Sequence, residues 1–218
     1  MMERILEPEY MDTPEEAHGY DAMDHSAANQ SVVSAFLEAG GDACREILDI
    51  GTGPGDIPLL LAAANPSARI TAVDAAETML GLARQKVARA GLEDRITLRA
   101  ADAKSLPFDD GAFDGVISNT ILHHIPDPVS YLAEAGRVLG RGTLLIRDLC
   151  RPTDRDAAER LVALHAAQEN EYQQKLFFDS LCASLTLDEV RDALRRAGLA
   201  DASLAMTSDR HYTIALRR

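Results

Sequence analysis

From residue 46 onward, short apolar runs alternate with segments whose apolar residues recur at helical spacing. Short apolar runs between turn signals are typical of buried strands, and longer periodic segments are typical of amphipathic helices. The pattern predicts strands over residues 46–50, 69–74, 96–98, 113–118 and 143–149, and helices over residues 56–64, 77–90 and 128–139. This alternating order predicts a parallel sheet with helices on both faces.

Two helices are predicted before the first strand. Thr13 is a favourable N-cap residue, and Pro14 is a favourable first helical residue. A second helix is predicted over residues 26–37, just before two adjacent glycines. We therefore divide a single overall domain into an N-terminal helical segment, residues 1–40, and an α/β region, residues 41–218.

The last third of the chain departs from the alternating order. Its periodicity predicts one long helix over residues 154–174, and the capping box of Thr186 and Glu189 predicts the start of another. Two final strands, over residues 202–207 and 211–216, are close enough to form a hairpin. The predicted fold is α/β and Rossmann-like: a doubly wound, seven-stranded, mostly parallel sheet with a C-terminal antiparallel hairpin.

Composition narrows the class of function. Hydrophobic residues make up 46% of the chain and charged residues 26%, as in soluble globular proteins. The formal net charge of −13 disfavours nucleic acids and membrane surfaces, which attract Lys and Arg, and favours a small-molecule partner. The N-terminus lacks the pattern of a secretory signal, and Cys44, Cys150 and Cys182 lack metal-type spacing. We therefore expect a cytoplasmic protein with reduced thiols.

The segment between Asp49 and Gly55 carries the clearest chemical signal. An apolar strand runs into Gly51-Thr52-Gly53-Pro54-Gly55 and then into a helix. Glycines permit positive φ and close approach of a ligand, and the N–H groups at the helix start suit an anion. Dinucleotide sites favour G-x-G-x-x-G, whereas the spacing here is G-x-G-x-G. Asp49 would repel a pyrophosphate but attract the ammonium group of an amino acid.

Two further carboxylates follow neighbouring strands. Asp74 ends the second predicted strand, where its side chain could accept hydrogen bonds from a ribose diol. Asp102 follows the third strand, where it could accept from the exocyclic amine of adenine. A ribose, an adenine and a zwitterionic amino acid together describe S-adenosylmethionine.

Residues 46–150 resemble the class I S-adenosylmethionine-dependent methyltransferases, including those that act on quinones and other small molecules. The matching segments are Ile47 to Gly55, Val73-Asp74, Ala101-Asp102-Ala103 and Phe113 to Asn119. Met11 to Glu15 and Ser208 to His211 look like a bacterial subgroup whose acceptor the sequence does not identify. The resemblance implies S-adenosylmethionine as cofactor, bound by Asp49, Gly51, Thr52, Gly53, Asp74, Ala75, Met79, Asp102, Ala103, Asn119 and Tyr20.

Candidate catalytic residues follow the fourth and fifth strands. Methyl transfer is an in-line displacement, so the main task is to hold the acceptor close and collinear, and a base is needed only for a protonated nucleophile. His123 and His124 are candidates for the base or an acceptor anchor, with side chains expected to diverge. Asp148 is a candidate to orient the acceptor, unless it forms a structural pair with Arg147. No metal is predicted, because no spaced Cys or His partner follows the two histidines.

The N-terminal helices are interpreted either as a lid over the cofactor, as in related methyltransferases, or as a cap that packs on the sheet. The candidate lid residues are Tyr10, Met11, Tyr20 and His25, with Tyr20 favoured. On the acceptor side, Phe177 and Phe178 either line the pocket or pack in the core.

The sequence therefore predicts an enzyme, either monomeric or homodimeric, that methylates a small molecule. Three alternatives stay open: an enzyme using a carboxylated or alkyl donor, a non-catalytic cofactor-binding regulatory subunit, and an NAD-type oxidoreductase. A carboxylate-binding arginine near the sulfonium would favour the first, and Asp49 with the glycine spacing argues against the last.

Overall fold

A computed structural model of the protein describes residues 2–7 and 12–218, except for the side chain of Glu16. Two of the candidate lid residues, Tyr10 and Met11, lie outside the described residues. The helices are α1 Pro14–Asp21, α2 Ser26–Glu38, α3 Asp56–Ala64, α4 Glu77–Ala90, α5 Pro128–Val138, α6 Arg155–His165, α7 Glu171–Ala183 and α8 Leu187–Arg196. The strands are β1 Glu46–Ile50, β2 Arg69–Asp74, β3 Ile96–Ala100, β4 Phe113–Asn119, β5 Leu139–Leu149, β6 Ser203–Met206 and β7 His211–Arg217. Short 3-10 helices cover Gly41–Ala43 and Leu122–His124.

The seven strands form one sheet in the order β3-β2-β1-β4-β5-β7-β6. The first five strands are parallel, and β7 pairs antiparallel with both β5 and β6. The predicted fold class and its C-terminal hairpin are therefore confirmed. The chain winds outward from β1 to β3 and then returns to β4 on the other side of β1. This reversal opens a crevice beyond the carboxyl ends of β1 and β4, where ligands of open α/β sheets bind.

Alternate residues of the strands enter two separate cores. Ile47 and Ile117 face the layer formed by α2, α3 and α4, where they pack near Phe36. Leu48 faces the opposite layer, formed by α5 and α8, where Tyr131 is fully buried. Each fully buried large apolar side chain contributes about 1.5–3 kcal/mol to folding. The strands are apolar on both faces because both faces are covered by helices.

The predicted long helix over residues 154–174 is wrong, because the chain forms two helices there. Helix α6 ends at His165, and α7 begins at Glu171 and continues to Ala183. Asn170 and Gln173 form a complete capping box at the start of α7. This cap satisfies backbone N–H groups that a continuous helix would have bonded internally.

Strand β5 begins at Leu139, four residues before the predicted start at Thr143, and follows α5 with no intervening loop. A Cβ atom at Gly142 would lie 1.7 Å from the carbonyl oxygen of Asp114, so only glycine permits this approach of the two strands.

The N-terminal segment shares the core of the α/β region. Val32, Val33 and Phe36 of α2 are fully buried, and Ala17 of α1 packs against Met79 of α4. Over the residues that the structure describes, no helix combines the length and the apolar character needed to cross a bilayer. The three cysteines are not paired in disulfides.

Candidate functional site

A cavity of about 470 Å³ lies beyond the carboxyl ends of β1, β2 and β4. This volume is typical of small-molecule sites. The loops after these strands form one part of its wall, and residues of α7 and the α1–α2 connection form others. The sequence-predicted site residues that line it are Tyr20, Gly51, Thr52, Gly53, Asp74, Ala75, Met79, Asp102, Ala103, Asn119, His123 and His124. The other two, Asp49 and Asp148, are fully buried and lie behind the lining.

The glycine loop is tied to β2 and held in a left-handed conformation. Gly51 and Gly53 have φ angles of 74° and 53°. The amides of Gly51 and Thr52 both donate to the carbonyl of Val73, at 2.8 and 2.9 Å. A Cβ atom at Gly51 would lie 2.4 Å from Ile121, whereas one at Gly53 would enter open space. The loop therefore needs glycine at Gly51 for packing, and its backbone is open to the cavity at Gly53.

Asp74 supports the same loop from the end of β2. Its carboxylate accepts from the amides of Gly53 at 2.8 Å and Ala76 at 2.9 Å. Burial raises the pKa of the Asp74 carboxyl, although these amide hydrogen bonds act in the opposite direction. Asp102 accepts from the amide of Lys104 at 2.8 Å and pairs with its ammonium group at 2.9 Å. Partial burial opposes ionisation of Asp102, but the contacts with Lys104 outweigh it and lower the pKa.

The connection between α1 and α2 covers one side of the cavity. Tyr20 stacks on His25 with ring centroids 4.4 Å apart, and both side chains line the cavity. Lys86 of α4 holds this cover in place, because its ammonium group pairs with Asp21 at 2.6 Å and Asp56 at 2.7 Å. The position of the α1–α2 connection suits the predicted lid. Its role as a lid stays a prediction.

The two adjacent histidines do not diverge as expected. Their rings lie 4.1 Å apart, and both face Glu7, which arrives from the N-terminal segment. Glu7 Oε2 lies 3.4 Å from His124 Nδ1 and 3.8 Å from His123 Nε2. Ser180 of α7 donates to both Glu7 oxygens, at 3.1 and 3.2 Å. Burial raises the pKa of the Glu7 carboxyl.

Asp148 lies behind His123 and fixes its orientation. Its carboxylate lies 2.6 Å from His123 Nδ1 and accepts from the amides of His123 at 3.2 Å and Leu149 at 2.6 Å. Burial disfavours the charged imidazole of His123, but the Asp148 carboxylate outweighs it and raises the pKa of His123. Burial likewise opposes ionisation of Asp148, but the charge of His123 lowers the pKa of Asp148.

The proposed pairing of Asp148 with Arg147 is wrong. Arg147 points to the other face of the sheet, where it donates to Thr213 at 3.2 Å and to Ser31 at 3.0 Å. Because successive residues of a strand face opposite sides, these two neighbours in β5 cannot share one environment.

Comparison with known proteins assigns the chain to a family. Residues 47–142 match the family model described as "Methyltransferase domain". A malonyl-[acyl-carrier protein] O-methyltransferase from Geobacter sulfurreducens is 35% identical over 187 residues, covering 84% of this chain and 66% of the relative. The chain belongs to the class I S-adenosylmethionine-dependent methyltransferases.

Two further similar proteins differ in length and in the acceptor for which they are named. The ubiquinone/menaquinone biosynthesis C-methyltransferase UbiE of Geobacter sp. strain M21 is 35% identical over 121 residues, covering 55% of this chain and 52% of the relative. The chain thus spans about half the length of that protein. Magnesium protoporphyrin IX methyltransferase ChlM from Synechocystis PCC 6803, solved with bound SAH (S-adenosylhomocysteine), superimposes with a TM-score of 0.64. That alignment has 20% identity and covers 89% of this chain and 83% of ChlM, which supports the shared fold.

The glycine-loop end of the cavity has the chemistry that the cofactor of this methyltransferase family requires. Asp49 is fully buried beneath the loop, and neither of its carboxylate oxygens has a hydrogen-bond partner in the described structure. The hydroxyl of Thr52, which lines the cavity, also lacks one. Burial raises the pKa of Asp49 to about 7, although the nearby Thr52 hydroxyl acts in the opposite direction. An ammonium group at the loop would supply the missing positive charge, and Gly53 leaves room for a ligand beside the backbone.

Several residues that line the cavity were not found from the sequence. Thr120 follows β4 and is the one non-glycine residue with positive φ, 55°, in the described chain. β-Branched residues rarely adopt this conformation, so a strained residue lies next to Asn119 at the cavity wall. Glu7 was also missed, because no local motif links it to residues more than a hundred positions away.

The cavity residues from the last third of the chain were predicted only in part. Phe177 lines the cavity, and both Phe177 and Phe178 pack against a small core beneath α6, where Arg155 lies 4.9 Å from the ring of Phe178. Arg210 also lines the cavity, and its guanidinium donates to His165 and Asp209. Burial lowers the pKa of the neighbouring His211 to about 4.

Proposed function

We propose that this protein transfers the methyl group of S-adenosylmethionine to a small-molecule acceptor. One observation carries the proposal: a single cavity joins the glycine loop, with the unpaired carboxylate of Asp49 beneath it, to the group formed by Glu7, His123 and His124. The first end suits a zwitterionic nucleoside ligand. The second end offers polar side chains for an acceptor.

Each cofactor-side residue has a distinct task in this proposal. Asp49 balances the ammonium group, Asp74 holds the ribose, and Asp102 with Ala103 borders the adenine. Asn119 and Thr120 border the methionine portion. The bound cofactor supplies a methyl group on positively charged sulfur, which is already activated toward displacement.

The acceptor-side residues hold the acceptor near the cofactor and exclude water. His123 and His124 anchor the acceptor, and Asp148 acts through His123 as a positioning residue because it lies behind the cavity wall. Phe177 provides an apolar surface. Tyr20 and His25 close the cavity as a lid formed by the N-terminal segment. Holding reactants in one geometry contributes several kcal/mol to catalysis, about 7 or more in favourable cases.

The acceptor class follows from charge and from the relatives. A net charge of −13 disfavours polyanions, and the relatives are named for a quinone-pathway C-methylation and an acyl-carrier-protein O-methylation. These names differ in acceptor, so they do not select one for this chain. We infer a small acceptor, used in the cytoplasm, that reaches the cavity past α7.

The decisive experiment is ligand-dependent thermal unfolding with S-adenosylmethionine, SAH and NAD. A ligand at 100 times its dissociation constant stabilises the folded state by about 2.7 kcal/mol, or about 5–10 °C for a chain of this length. We expect this shift with the two sulfur ligands and none with NAD. SAH release with a panel of acceptors then tests turnover.

Two matched glycine variants show whether the ligand occupies the proposed end. Gly53→Ala and Gly91→Ala each place a methyl group at a positive φ with no atom nearby, so each should lose about 1–2 kcal/mol of stability. Gly91 caps α4 outside the cavity lining. We expect only Gly53→Ala to abolish the shift with SAH. Equal binding by both variants would contradict the proposed location.

The thermal-unfolding and SAH-release measurements also distinguish methyl transfer from the alternative functions. A shift with NAD alone would identify an oxidoreductase. Binding of S-adenosylmethionine without SAH release from any acceptor would favour a regulatory subunit. Arg210 is the one arginine among the cavity-lining residues that the structure describes. Its guanidinium already donates hydrogen bonds to His165 and Asp209. This arrangement gives no support to a carboxylated donor.

A further inference from the structure

Three side chains from distant parts of the chain converge at the acceptor end of the cavity. Glu7 comes from the N-terminal segment, and His123 and His124 come from the 3-10 helix after β4. One ligand atom of each residue lies within 4.8 Å of the other two. We propose that these residues bind a divalent transition-metal ion, with Zn²⁺ the best match, and that a donor atom of the acceptor completes the coordination. This inference rests on the proposed methyl transfer.

The distances suit a metal ion. In a tetrahedral zinc site with bonds of about 2.0–2.1 Å, neighbouring ligand atoms lie about 3.4 Å apart. Glu7 Oε2 lies 3.4 Å from His124 Nδ1 and 3.8 Å from His123 Nε2. The two histidine nitrogens lie within 4.8 Å of each other, so the rings must turn toward each other for all three atoms to close on one ion. Two imidazoles and one carboxylate are also a donor set of catalytic zinc sites, which keep one position open.

Asp148 and Ser180 hold His123 and Glu7 in the way that neighbouring residues hold the protein ligands of metal sites. A metal-binding histidine almost always donates its second ring N–H to a carboxylate or carbonyl. His123 Nδ1 lies 2.6 Å from the fully buried Asp148, so this contact leaves Nε2 to face Glu7. Ser180 donates to Glu7 and limits the rotation of its carboxylate.

Arg4 holds the two halves of the site together. Its guanidinium donates to the carbonyl of Ala183 at 2.6 Å and to the carbonyls of His123 and Ile125, each at 3.0 Å. The N-terminal segment, the end of α7 and the 3-10 helix therefore share one anchor. This arrangement places Glu7 beside the histidines before any ligand binds.

Charge indicates the kind of acceptor. With neutral imidazoles, the ligand set carries one negative charge, so a bound Zn²⁺ leaves a net positive charge facing the cavity. Such a centre favours an acceptor with a hydroxyl, thiol or carboxylate as the fourth ligand. The metal-free alternative is a hydrogen-bonded acid–base cluster of the same residues, which would bind an acceptor but no ion.

The test uses the full chain, treated with a chelator, and Zn²⁺ alone as the probe. We expect one Zn²⁺ per chain by calorimetry and elemental analysis, and a visible spectrum of tetrahedral Co²⁺ on substitution. Glu7→Gln, His123→Asn and His124→Asn should each weaken Zn²⁺ binding at least about 100-fold, and Asp148→Asn about 10–100-fold. His165→Asn is the matched control, because His165 also lines the cavity beside a carboxylate, Asp209.

SAH binding is measured in every variant. Retained SAH binding shows that a variant is folded, and it keeps the two proposals separate. Zn²⁺ loss confined to the three ligand variants and Asp148→Asn supports the metal site. Wild-type protein that binds SAH but not Zn²⁺, or Glu7→Gln protein that binds Zn²⁺ as tightly as wild type, overturns the metal site and leaves the methyltransferase proposal intact. Zn²⁺ binding without SAH binding overturns the methyltransferase proposal instead.

Discussion

At the scale of single residues, Asp49 shows how burial prepares a site for a charged ligand. Its carboxylate is removed from water at the end of β1 and has no hydrogen-bond partner in the described structure. Burial disfavours its ionised form, so its pKa rises to about 7. A cationic ligand would favour ionisation, and binding of the ligand should therefore release a proton near neutral pH.

This linkage predicts a pH dependence of SAH affinity. Below pH 7 the ligand-free Asp49 is mostly protonated and must lose its proton to balance the charge of the ammonium group from beneath the loop, so affinity falls as pH falls. We expect calorimetry to show SAH binding about tenfold weaker at pH 6 than at pH 8. Asp49→Asn should bind weakly at both pH values, and exposed Asp109→Asn should behave as wild type. Equal wild-type affinity at pH 6 and pH 8 would contradict this role.

At the scale of secondary-structure elements, the break between α6 and α7 shapes the acceptor side. Helix α7 carries both Phe177 and Ser180, which line the cavity. A single helix over residues 154–174 would have carried the chain in another direction. The capping box of Asn170 and Gln173 starts α7 instead.

The change in stability caused by Asn170→Ala has opposite signs for a continuous helix and for two helices with an N-cap at Asn170. In a continuous helix, Asn170→Ala would stabilise the protein, because alanine has the higher helix propensity. At an N-cap, the same change should cost about 1 kcal/mol. Urea unfolding measures the difference. Thr186→Ala, which removes the equivalent cap of α8, provides the control and should show a similar loss. A gain in stability for Asn170→Ala would contradict the separation of α6 and α7 into two helices.

At the scale of the whole molecule, the N-terminal segment contributes to both ends of the cavity. Residues 2–7 bring Glu7 to the histidines, whereas Tyr20 and His25 line the cavity at the proposed cofactor end. Helix α2, in contrast, is part of the core through Val32 and Phe36.

Two truncations separate these contributions. A chain starting at residue 12 lacks Glu7 but keeps the contact of Asp12 with Thr78, so it should bind SAH and lose Zn²⁺. A chain starting at residue 26 also lacks the proposed lid, and we expect its SAH affinity to fall at least about tenfold, the loss of about 1.4 kcal/mol of contacts. Cooperative thermal unfolding shows whether each is folded. A folded chain from residue 26 with unchanged SAH affinity would show that the segment is a packing cap.

The sequence by itself determined most of the elements and brought together the residues of the proposed cofactor end. Those features follow from local rules: apolar periodicity identifies strands and helices, and the spacing of Gly51, Gly53 and Asp49 describes one turn with its acid. The single large error was the continuous helix before α7. Asn170 and Gln173 form a capping box that was not recognised, although its residue types were present in the sequence.

Tertiary structure alone decided which residues meet at the proposed acceptor end. Glu7, His123 and Asp148 belong to three segments with no shared local pattern. His123 meets Asp148 because β4 and β5 are neighbours in the sheet, and Glu7 meets His123 because residues 2–7 lie against the end of α7 and the 3-10 helix after β4. Burial and the neighbouring charges then shift their pKa values, and both are properties of the packed molecule rather than of a residue type. For the same reason, the expectation that His123 and His124 diverge was wrong: the 3-10 helix turns both rings toward Glu7.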